Sequence, residues 1–171
     1  QDHMNVQAYL AHGVAGYLVA CLTSENQIIR QAASCLLQRF VDLVIDASFF
    51  EQKQILMLFL KLQNSIVNPA LRLPSLIASF VNESIYILQR PENPLYSVIS
   101  RFWLSHPVFY LFDTPLFEKL LATESLDYRQ LRGWCMRYIL RGVQTKRDFH
   151  ILARRHVFPE LQSLALSSRT D

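Results

Sequence analysis

A chain of 171 residues that is 51% apolar and 12% aromatic can build a real core, which excludes intrinsic disorder. Its net charge is only +3 but is unevenly spread, with −2 over residues 1–118 and +5 over residues 119–171, so the C-terminal third is the basic part. Three cysteines without a CxxC pair, each inside an apolar helical pattern, predict buried free thiols at Cys21, Cys35 and Cys135 and hence a reducing compartment.

Residues 1–4 are set aside as a candidate cloning remnant, and the chain is expected to be a fragment of a longer protein, with one helical-repeat domain over 5–166 and a tail over 167–171. The first predicted helix covers 5–22. Residues 3–24 carry no Asp, Glu, Lys or Arg, and such a stretch is long enough to span a bilayer. Asn5, Gln7, His12, Gly13 and Gly16 dilute it and no basic flank follows, so a buried helix is expected. Gly13-Val-Ala-Gly16 lacks basic neighbours and reads as close helix packing rather than phosphate binding.

The second predicted helix, 25–46, has the clearest period. Ile28/Ile29, Ala32/Ala33, Leu36/Leu37, Phe40/Val41 and Val44/Ile45 form an apolar face, with Arg30, Gln31, Ser34, Gln38, Arg39 and Asp42 on a wet one. Ser24 with Gln27, and Ser48 with Glu51, offer hydroxyl caps for this helix and for the next, 49–67. The latter is apolar on nearly all sides over 54–62, and Phe40, Leu58, Phe59 and Phe102 are assigned to the core. A fourth helix covers 74–89, where Asn82-Glu83-Ser84 matches a glycosylation acceptor by chance of composition. Lys53, Lys61 and Glu83 interrupt the remaining apolar runs, so no membrane span is predicted.

Asn93-Pro94 and Thr114-Pro115 place a cap before a proline and open helices over 94–105 and 115–123. Over 126–142, Tyr128, Leu131, Cys135, Tyr138 and Ile139 share one face. Arg129, Arg132, Arg137 and Arg141 fan over the opposite half, with Trp134 at the border beside Arg141. Thr145 with Asp148 caps the last helix, 146–166, which carries Lys146, Arg147, His150, Arg154, Arg155 and His156 and is expected to break near Arg155.

No stretch alternates with period two, and there is no Asn-Gly or Asp-Gly hairpin signal, so no strand is predicted. Short links between amphipathic helices imply an all-α, HEAT/armadillo-like α-solenoid of antiparallel helices. A compact helical bundle carries the same local signals and stays open as an alternative.

GxSxG, HExxH, P-loop and GxGxxG patterns are all missing. His150 and His156 would point to opposite sides of one helix and make no zinc site. The expectation is a non-enzymatic scaffold without cofactor, metal or small-molecule substrate. The candidate contact residues are Arg129, Arg132, Trp134, Arg137, Arg141, Lys146, Arg147, Arg154 and Arg155. Arginines with an interleaved aromatic can hold phosphates and stack on bases. The same side chains would serve a protein partner equally, or pair internally with Asp127, Asp148 or Glu160.

From residue 90 the order of motifs becomes specific. Arg90-Pro91-Glu92-Asn93-Pro94-Leu95-Tyr96 leads to Ile99-Ser100-Arg101-Phe102, Ser105-His106-Pro107 and Asp113-Thr114-Pro115-Leu116-Phe117. Arg132-Gly133-Trp134, Leu140-Arg141-Gly142, Asp148-Phe149 and Arg154-Arg155-His156-Val157-Phe158 follow. Over residues 90–162 this resembles the C-terminal domain of the nucleolar pre-ribosomal-associated protein 1 family. Gly133 departs from the larger residue expected there, which bears only on the packing of its helix. The resemblance implies a large helical scaffold of early large-subunit (60S) ribosome precursors. Its implied setting is the nucleolus of the nucleus, and its implied partners are assembly factors and precursor ribosomal RNA. The rival expectation is a helical-repeat, protein-binding adaptor in transport or trafficking.

Overall fold

The computed structural model describes residues 5–121 and 128–167, and all regular structure among them is helical. The segment predicted as one helix over 5–22 is two, α1 (Val6–Ala11) and α2 (Val14–Cys21). Gly13 separates them at φ 75°, in the left-handed region where a residue without Cβ is unstrained. Of the GxxG pair, Gly16 alone packs closely: a Cβ there would stand 3.4 Å from the Asn82 amide oxygen.

α3 (Gln27–Asp46) has the expected extent but a different cap. The Asn26 side chain accepts from the Ile28 amide at 2.9 Å, while Ser24 sits one step back and accepts from the Asn26 amide. The helix buries Ala33, Leu37, Phe40, Val41 and Val44, while Ile28, Ile29, Leu36 and Ile45 turn outward. A helix packed on one side covers one member of the Ala32/Ala33, Leu36/Leu37 and Val44/Ile45 pairs, both of Phe40/Val41, and neither of Ile28/Ile29 at its start. Arg30, expected on the wet face, is 9% exposed. Its guanidinium donates to the carbonyls of Ser24 and Glu25 at 2.8 Å and, through Nε, to Ala70 at 3.0 Å. The outward half of α3 also carries Cys35, which is exposed; Cys21 is half-buried and Cys135 buried, so one of the three expected buried thiols holds fully.

α4 (Gln52–Ser65) begins after the Ser48–Glu51 box, which makes no cap. Gln52 instead donates back to the carbonyls of Val44 and Ile45, at 2.9 and 3.0 Å, and closes the α3–α4 turn. α5 (Ser75–Leu88) buries ten of its fourteen residues, because α2, α4, α6 (Tyr96–Ser105) and α8 (Tyr128–Gly142) all pack against it. At its centre the Phe80 ring lies 5.2–6.1 Å from the rings of Phe102, Trp103, Phe109, Trp134 and Tyr138. The four residues assigned to the core, Phe40, Leu58, Phe59 and Phe102, are buried.

Lys61 on α4 donates to the carbonyls of Trp103 and His106, where α6 ends with unpaired acceptors. α7 (Phe117–Leu121) packs on α8. α8 approaches α5 closely at Gly142, where a Cβ would fall 2.6 Å from the Leu76 Cα at the start of α5. The Thr145–Asp148 capping box forms as predicted at the start of α9 (Lys146–Arg154). The expected break follows, with His156 at φ 53° before α10 (Val157–Ser167). Among the described residues no helix is long and apolar enough to cross a membrane.

Candidate nucleic-acid and partner surface

The inner face of α8 sets what its outer face can offer. Leu131, Trp134, Cys135, Tyr138 and Ile139 are buried, while Tyr128 is only half-buried. Trp134 lies three residues after Leu131 and four before Tyr138, a spacing that puts all three on one face. It is 2% exposed, with its ring 5.7 Å from Phe80 and 5.3 Å from Tyr138. Trp134 is therefore a core residue and not a border platform for a base. Burial pushes the Cys135 thiol up to about 12, with the negative charge of Glu118 adding to the shift. Burial also raises the Tyr138 phenol well above its usual range, and its hydroxyl donates to the Pro115 carbonyl at 2.5 Å.

On the outer side, α8 and the end of α5 enclose a cleft of about 330 Å³, lined in part by Glu83, Tyr86, Asn93, Arg129, Gly133 and Arg137. Gly133 keeps its floor open: a Cβ there would meet nothing nearer than the Arg137 guanidinium, at 3.7 Å. The Arg90 guanidinium lies over the Tyr86 ring, 3.6 Å from its centroid. Arg129 donates to the Tyr128 hydroxyl at 3.1 Å, and Arg132 stands over the same ring at 5.2 Å.

The remaining candidates divide differently. Arg141 pairs with Glu83 and ties α8 to α5. Arg155 sets its fork on both oxygens of Asp113 and ties the α9–α10 joint to the 106–116 segment. Lys146 and Arg154 are exposed at opposite ends of α9. Arg147 belongs to another place, donating to the Arg72 carbonyl at 2.8 Å and standing over the Phe112 ring. Of the nine residues the structure thus brings Arg129, Arg137 and the largely buried Trp134 together on one cleft.

The internal pairing expected with Asp127, Asp148 or Glu160 is made by Glu83 and Asp113 instead. Asp127 lies outside the described residues, and Asp148 is a fully buried helix cap. Tyr86 and Asn93 are cleft residues that sequence reasoning missed. The spacing of Tyr86 and Arg90, four apart across the end of α5, was the available signal. Among the described residues no group of three His, Cys, Asp or Glu could hold a metal ion.

A family of known proteins, described as nucleolar pre-ribosomal-associated protein 1, matches residues 15–171. The mouse protein of that name is 28% identical over 168 residues, which cover 98% of this chain and 7% of the mouse protein. The human protein of the same name is 24% identical over the same length, with the same shares covered. The chain thus spans about 7% of the length of these relatives. No solved structure matches it.

Proposed function

From the premise that this chain belongs to the nucleolar pre-ribosomal-associated protein 1 family, we propose that it is a non-catalytic scaffold segment acting in the nucleolus, in early large-subunit ribosome assembly and precursor-RNA processing. It contacts assembly factors and single-stranded precursor ribosomal RNA. The family description supports the ribosomal setting over a trafficking adaptor. The observation that carries the RNA contact is the cleft between α5 and α8. Arg129 and Arg137 flank a floor left open by Gly133, and neither is held by an intramolecular carboxylate among the described residues. Guanidinium groups on a concave wall suit phosphate oxygens, and the volume accommodates an unstacked nucleotide.

The packing of α2 on α5 and of α5 on α8 supports an armadillo-like stack. In these two pairs helices three apart in the chain lie side by side, as they would if repeats of three helices were stacked in one direction. A segment of that kind fits a chain that is a small share of its long relatives.

The test uses polyuridine binding by the 171-residue chain. Reversal of Arg129 and Arg137 to Glu lowers affinity and flattens the salt dependence, by about 0.7 log units per log unit of salt for each lost phosphate contact. Gly133→Leu fills the cleft without changing charge and also lowers affinity, with the melting temperature retained in both variants. Wild-type affinity in a folded double reversal would overturn the RNA reading. A loss in the reversal but not in Gly133→Leu would assign RNA binding to diffuse charge and not to the cleft.

A further inference from the structure

The segment joining α4 to α5 builds a second, different surface. With Leu22 and Phe112 it encloses a groove of about 130 Å³ whose walls are almost entirely apolar, Ile66, Val67, Leu71 and Leu73 among them. Val67, Leu71 and Phe112 are 92%, 60% and 49% exposed, so bulky apolar side chains meet water together rather than singly.

The groove is held in shape before anything enters it. Arg30 holds the Ala70 carbonyl from below, the Asn68 side chain accepts from the Ala70 amide at 2.9 Å, and the Leu73 amide donates to Leu22 at 3.0 Å. Arg72 donates to the Thr23 carbonyl, which ties the same segment to the end of α2. A rigid groove costs little ordering entropy on binding.

Its rim is cationic. Arg147 is met by a backbone carbonyl and by the face of Phe112, and by no carboxylate among the described residues. Besides the Thr23 carbonyl, Arg72 meets Glu25 at 3.3 Å, and the Glu25 side chain is 88% exposed. Such a pair is loosely held and easily exchanged for another carboxylate. Apolar walls argue against a nucleotide as occupant, and Arg147 already covers one face of Phe112.

We propose that this groove docks a short segment of a partner protein in which a bulky aliphatic or aromatic side chain lies beside a carboxylate. The apolar side chain enters between Val67, Leu71 and Phe112, and the carboxylate takes the free donors of Arg147 and Arg72. The interaction is independent of the RNA cleft and uses neither Arg129 nor Arg137.

The test selects random short peptides displayed on phage against the 171-residue chain. Selected peptides are then measured by fluorescence anisotropy. The expected enrichment is an acidic residue next to Leu, Ile or Phe. Val67→Asp, at a position too exposed to affect folding, and Arg147→Glu should each weaken the selected peptides by about tenfold or more. Arg147→Lys, which keeps the charge, should retain part of the affinity. Thermal unfolding of each variant identifies any that fails to fold, and Val67→Asp carries the test if Arg147→Glu is one of them. No enrichment, an enrichment lacking the acidic–apolar pattern, or binding unchanged by Val67→Asp overturns the proposal. Displacement of the peptides by polyuridine would overturn it in favour of RNA.

Discussion

Asp148 is fully buried, and its two carboxylate oxygens serve different helices. Oδ1 accepts from the Leu76 amide at 3.0 Å, where α5 begins. Oδ2 accepts from the Thr145 amide at 2.9 Å, the Thr145 hydroxyl at 2.7 Å and the Gln144 amide at 3.3 Å, where α9 begins. Two positive helix ends thus share one negative charge. Replacing Asp148 with Ala strands several buried donors at once and should cost about 3 kcal/mol or more in denaturant unfolding, against about 1 kcal/mol for Thr145→Ala. Asp148→Asn should fall between them, because one of its amide positions presents donors where N–H groups converge. Cys135 gives a second prediction at this scale. Its folded thiol titrates near 12 rather than at its ordinary 9.0, so the folded protein keeps a proton that the unfolded chain loses between those values. The stabilisation is complete below pH 9.0 and is lost progressively as the pH rises towards about 12. Cys135→Ala should lose less stability than the wild type between neutral and alkaline pH, as read by denaturant midpoints.

Two glycines of α8 separate packing from propensity. At Gly142 a Cβ would meet the Leu76 backbone at 2.6 Å, so Gly142→Ala must push α8 away from α5 and should cost about 1–3 kcal/mol. At Gly133 a Cβ meets only the end of Arg137, so Gly133→Ala should raise stability by about 0.5–1 kcal/mol through helix propensity. Thermal unfolding of the two variants checks both signs. The contrast also marks what was legible in the chain. The period of α3, the Thr145–Asp148 box and the break near Arg155 are local, and all three could be read directly. The start of α4 could not, because the Gln52 side chain, reaching back to α3, replaces the hydroxyl cap that the Ser48 motif advertises. Nor could the inward turn of Arg30, whose partner Ala70 is 40 residues away. Trp134 was misplaced because a face drawn from Arg141 outward ignores the space opposite Phe80, which only the packing of α5 on α8 reveals.

At the scale of the molecule, part of the charge imbalance holds the chain together. The basic C-terminal third gives Arg141 to Glu83 and Arg155 to Asp113, both acids from the N-terminal part, at separations of 58 and 42 residues. Such pairings are invisible to helical periodicity, so the eight candidate cations looked like one surface when five of them divide among a cleft, a groove and two internal struts. The helices differ as much in their support. α5 is enclosed by α2, α4, α6 and α8, whereas α10 rests chiefly on α9 through the buried Val157 and the Phe149–Phe158 stack at 4.8 Å. Opening α10 exposes little apolar surface, but opening α5 dismantles the aromatic cluster around Phe80 and both neighbouring rows of helices. Native-state hydrogen exchange should therefore find the α5 amides of residues 77–87 exchanging last, at the free energy of global unfolding. Those of α10 should exchange through a local opening several kcal/mol cheaper, as expected for an element with few buried contacts. Protection in α10 equal to that in α5 would mean that the C-terminal helix pair is part of the same cooperative unit. In that case Arg155→Ala, which severs the strut to Asp113, should lower the protection of α5 as well as that of α10.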